Sequence, residues 1–83
     1  MDQTCAHYLH DLAQRFLQEA IEARQVYNSA RSKDIDTVDF GYASGRAQAY
    51  YEVVSIAINL AYSFDLDLTI LGLEGINPDA LLL

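Results

Sequence analysis

Apolar positions recur at helical spacing over two long stretches and then crowd together in the last part of the chain. In the first stretch, about residues 2–32, a heptad phase fits. Ala6, Ala13, Ala20 and Tyr27 occupy one seam position, and Leu9, Phe16, Ala23 and Ala30 the other. Leu12, Leu17, Ile21 and Val26 widen the stripe, while Asp11, Arg15, Gln18, Glu22 and Gln25 mark the opposite side. Asp11 and Arg15 stand at the supportive i,i+4 spacing. The pattern predicts a long amphipathic helix whose seam is rich in alanine.

The second stretch, about residues 37–64, is apolar around most of its circumference, with only Arg46 and Glu52 charged between Phe40 and Phe64. Stepping by four gives Gly41, Gly45, Ala49, Val53, Ala57 and Ala61, a row of small residues broken only by valine. Beside it runs a bulkier row: Tyr42, Arg46, Tyr50, Val54, Ile58 and Tyr62. Residues four apart lie one above the other on a helix. The small row therefore predicts a helix-packing seam where a neighbouring helix approaches at the short end of the ~8–10 Å interaxial range. Each glycine costs roughly 1 kcal/mol against alanine inside a helix, and close packing is the expected compensation. A leucine at Gly45 is accordingly expected to disrupt the assembly.

Between the stretches, residues 31–36 form a brief charged turn. Asp36 fits an N-cap, Ile35 and Phe40 fit a hydrophobic staple, and Asp39 adds negative charge to the first turn of the second helix. Two long helices joined this closely become antiparallel neighbours. In the tail, residues 65–83, Asp67 can cap a short turn through Leu68–Leu71 that Gly72 ends. Gly75 marks a bend, and Asn77-Pro78 opens a last helical turn. Alternation over residues 66–71 also suits a β-strand, which would need a partner strand. The expected fold is all-α: one domain, residues 1–83, an antiparallel helical hairpin with a short helical or irregular tail.

A chain of 83 residues with one cysteine, Cys5, has no internal disulfide to staple it. The second helix is apolar nearly all round and calls for cover on several sides. A homodimer resembling a four-helix bundle meets that need; a monomer completed by its own tail is the alternative. The unpaired cysteine, the missing signal-peptide pattern and the lack of any apolar run near ~18 residues point to a reducing, cytoplasmic setting without a membrane span.

The net charge is −7, and all five basic residues lie within the first 46 positions. Direct nucleic-acid binding is disfavoured on that balance, whereas a basic protein partner suits it. Candidate chemistry is sparse. Cys5, His7, His10 and Asp11 crowd the first helical turns, and His7, His10 and Asp11 have spacing compatible with one metal ion, yet no matching ligand pair accompanies them elsewhere. Gly41 to Gly45 is no phosphate loop, since no Gly-Lys-Ser/Thr follows. No catalytic set and no cofactor site is expected. Six tyrosines are many for this length. Tyr42, Arg46, Tyr50 and Tyr51, with Asp34, Asp36 and Asp39 at the turn, form a candidate interaction face. Arg46 can stack on Tyr42 or Tyr50, or pair with an acid of the first helix.

The motif Tyr42-x-x-Gly45-x-x-x-Ala49-Tyr50-x-x-Val53-Val54, with the acidic, leucine-rich tail, resembles small accessory proteins encoded by phages and mobile elements of Gram-positive bacteria. The resemblance covers about half the chain and carries no functional residues. It implies a non-enzymatic protein that associates with itself and with an unidentified protein partner. An acidic inhibitor that competes with nucleic acid on a host defence nuclease is the alternative.

Overall fold

A computed structural model describes residues 2–31 and 37–83, with side chains described for all of these except 37–39. The elements run α1 (Gln3–Arg31), α2 (Thr37–Ser63), α3 (Leu68–Leu71) and α4 (Pro78–Leu82). The described residues contain no strand, so the 66–71 alternation resolves as a helical turn. The expected N-cap Asp36 and the Ile35–Phe40 staple lie outside the described residues or side chains. Among the described residues no helix is long and apolar enough to cross a membrane.

Contacts between α1 and α2 run in opposite chain order. Tyr27 meets Phe40 with ring centroids 5.5 Å apart. Arg46 reaches Glu19 at 2.9 Å, and Leu9 and Leu12 face Leu60 and Phe64 across a shared groove. The pair is an antiparallel hairpin. The heptad of α1 forms its inner stripe, since Ala13, Ala20 and Ala23 are buried and the other five seam residues, Ala6, Leu9, Phe16, Tyr27 and Ala30, are partly covered.

The inner stripe of α2 is Ala43, Ala47, Tyr50, Val54, Ala57 and Ala61, all buried or half-buried. These positions are spaced alternately by four and three, which is a heptad. The four-step row that begins at Gly41 is not this seam. Four residues advance about 400° around a helix of 3.6 residues per turn. A strict four-step row therefore drifts ~40° each step and ~200° from Gly41 to Ala61. Gly41, Gly45 and Ala49 are exposed, Val53 and Ala57 are half-buried, and Ala61 is buried. A Cβ added at Gly41 or Gly45 would meet nothing within 4 Å. Within the chain, α1 does not lie against that end of the row.

Two similar turns steer the tail. Leu66 N–H bonds to Ala61 C=O at 2.7 Å, and Asp65 N–H to Tyr62 C=O at 3.1 Å. That is the Schellman pattern, with Asp65 in the left-handed region at φ 54°. The pattern repeats after α3: Leu73 N–H bonds to Leu68 C=O and Gly72 N–H to Thr69 C=O, with Gly72 at φ 66°. Asp67 caps α3 by accepting from Thr69 N–H, and Asn77 caps α4 by accepting from Asp79 and Ala80 N–H. Thus turned, the tail buries Leu71, Leu73 and Leu82 in a common core with Ala13, Leu17, Ala20, Val54, Ile58 and Ala61.

Candidate interaction surface

The hairpin has two flanks, and the tail covers only one. On the covered flank, Gln14 Nε2 donates to the carbonyls of both Leu71 and Gly72 at 2.9 Å each. Leu17 and Ile58 turn inward there beneath Leu73 and Leu82. Tyr51 donates its hydroxyl proton to Asp79 of α4. That bond, accepted by a carboxylate, pushes the Tyr51 phenol above its ordinary value.

The open flank is built from the other edges of the same helices: Leu12 and Glu19 of α1, and Arg46, Val53 and Leu60 of α2. These are the positions just before each heptad seam residue, as Leu17 and Ile58 are positions just after. Near its middle, the Glu19 carboxylate accepts from Arg15 Nε at 3.1 Å and from Arg46 at 2.9 Å. The Arg46 guanidinium also lies 5.3 Å from the Tyr50 ring centroid. Arg46 therefore both stacks on Tyr50 and pairs with α1. Arg15 pairs with Glu19 one turn ahead of it, while Asp11 contacts His10 at 3.2 Å.

Toward the open end of the hairpin, α1 and α2 border an apolar groove of about 490 Å³. Leu9, Leu12, Ala13 and Phe16 line one side, Ala57, Leu60, Ala61 and Phe64 the other, Leu66 and Leu71 of the tail also border it, and no charged residue lines it. Ile56, Leu60 and Phe64 continue outward as a row four apart, exposed by 56%, 51% and 79%, with Leu12 opposite at 38%. At ~150–250 Å² for a large side chain these four expose about 400 Å². That falls in the ~300–600 Å² range of the largest patch on a typical monomer, a size at which such patches are often functional.

The candidate face of tyrosines does not come together. Tyr42 is exposed, Tyr50 enters the helix seam, and Tyr51 turns to the opposite flank toward Asp79. Tyr42, Arg46 and Tyr50 belong to a four-step row, which winds around α2 as the glycine row does. Asp34 and Asp36 lie outside the described residues, and the Asp39 side chain outside the described side chains. Among the described residues no three His, Cys, Asp or Glu side chains converge as a metal site. The groove was hidden in the sequence because Leu60 and Phe64 read as ordinary members of an all-round apolar helix. The Gln14 latch carried no sequence signal, since only the fold brings Leu71 and Gly72 beside it.

Comparison with protein-family models, with curated proteins and with solved structures finds no match.

Proposed function

We propose that the chain is a non-enzymatic protein that acts by protein–protein interaction and associates with itself, in the manner of a small accessory factor of a phage or mobile element. One observation carries this reading: with the tail packed on the hairpin, an uncharged groove lined by α1, α2 and Leu66 and Leu71 of the tail stays open, bordered by exposed leucine and phenylalanine. Exposed apolar area of this extent is stabilised by burial at roughly 25 cal/mol per Å². Association supplies that burial without a change of fold. The shape agrees: the radius of gyration is 14.6 Å, against about 12 Å for a compact chain of this length.

Sedimentation equilibrium of the purified protein tests the reading. A mass of twice 9.3 kDa is expected. A 9.3 kDa species at every accessible concentration, with no other protein bound, would contradict it.

A second reading rests on the tail. Asp65, Asp67 and Glu74 border one shallow surface beside Tyr62, a disposition that suits a basic site on a nucleic-acid enzyme. Binding to such an enzyme would weaken steeply with salt, and salt-insensitive binding counts against an acidic competitor.

A further inference from the structure

We infer that the open flank is the self-association face, occupied by the same flank of a second copy related by a two-fold axis, with both tails on the outside. This rests on the self-association reading above and names the surface it uses. Two observations select the occupant.

The first is charge. Asp65, Asp67, Glu74 and Asp79 all belong to the tail, on the covered flank or beyond it. The open flank carries Arg15 and Arg46 against Glu19 and Glu22, and its groove has no charge. With −7 on each copy, contact through the tails would set like charges together, whereas contact through the open flanks keeps them apart. A strongly basic partner, by contrast, finds no net negative charge on the open flank, where two arginines balance two glutamates.

The second is area. A folded chain of 9.3 kDa exposes about 5,000 Å², and this one exposes 5657 Å². The four apolar side chains beside the groove account for about 400 Å² of it, half of the ~800 Å² that each partner contributes to a standard interface, and the neighbouring Arg15, Glu19 and Arg46 extend the same face. A two-fold contact brings the same patch from both copies, so Leu12, Leu60 and Phe64 would each be buried twice in the assembly. The completed object has four long helices around one core, with the backs of α1 and α2 and both tails on the outside.

Leu60→Asp, which replaces an exposed side chain and leaves the chain's own core intact, tests the assignment beside Tyr62→Asp, an equally exposed site next to the tail. Both variants are followed by sedimentation equilibrium, with circular dichroism to verify helix content. Leu60→Asp is expected to weaken the dimer by about 100-fold or more, because it buries an unpaired charge. Tyr62→Asp is expected to leave dimerisation within a few-fold of the parent, and Phe64→Ser to repeat the Leu60 result more mildly. Added salt should hold or tighten the parent dimer. A dimeric parent whose mass is unmoved by Leu60→Asp and Phe64→Ser would overturn this face while self-association stood. The same holds if Tyr62→Asp alone dissociates it. A monomeric parent would overturn both.

Discussion

Asp65 and Gly72 occupy equivalent places in two successive Schellman turns, and only one of them is glycine. A left-handed conformation costs a non-glycine residue roughly 1 kcal/mol, less for Asp than for most. Asp65→Gly should therefore raise unfolding stability by about 0.5–1 kcal/mol in urea. Gly72→Ala should do the reverse. Its Cβ would collide with Gln14 Nε2 and stand 2.9 Å from His10 Nε2, so both side chains must move. The strain and the two displaced Gln14 bonds together predict a loss of about 2 kcal/mol by the same assay. Asp67 contributes a pH dependence. Its carboxylate accepts the Thr69 backbone N–H, and then the Thr69 hydroxyl, which holds its pKa below the ordinary value. A depressed carboxylate pKa stabilises the fold above the unfolded value of ~3.9. That contribution fades as pH falls from there through the folded value. Asp67→Asn keeps a capping oxygen and should flatten the stability profile in that acid window alone.

At the scale of the element, the two long helices teach different lessons. The heptad of α1 was legible because its seam residues are set off from a polar back, and the capping residues Asp67 and Asn77 and the stop at Gly72 were legible from local chemistry. In α2 the apolar residues surround the helix, so composition could not say which of them face α1. The small row from Gly41 looked like a seam, yet a period of four winds away from a partner that a period of 3.5 keeps in view. Ala43 and Ala47 take its place. The expectation for Gly45 changes accordingly: with open space around its Cα, Gly45→Ala should stabilise α2 by about 1 kcal/mol in thermal unfolding. Ala47→Leu should destabilise by about 1–3 kcal/mol, because the buried, close-packed contact is there. If Gly45→Ala proved the more damaging of the two, the seam would lie on the glycine side after all. Among the described residues of the candidate face, Tyr42 and Tyr50 part for the same reason of winding, and Tyr51 turns to Asp79 of the tail. The Arg46 pairing survived because it required only that one long side chain reach a neighbouring helix.

At the scale of the whole molecule, the tail is the asymmetric feature. It fills one side of a two-helix hairpin through Leu71, Leu73 and Leu82 and leaves the other side to Leu12, Leu60 and Phe64. In the proposed dimer this hairpin is half of a bundle, and the acids gathered on the tail favour contact through the opposite sides. The most direct test is a filtered NOE experiment on a mixture of isotope-labelled and unlabelled chains, which reads only contacts between copies. Intermolecular signals from the methyl groups of Leu12 and Leu60 are predicted, with none from Leu68 or Ile70 of the tail. Signals confined to the tail, or none from a sample at concentrations where the parent protein sediments as a dimer, would contradict the account.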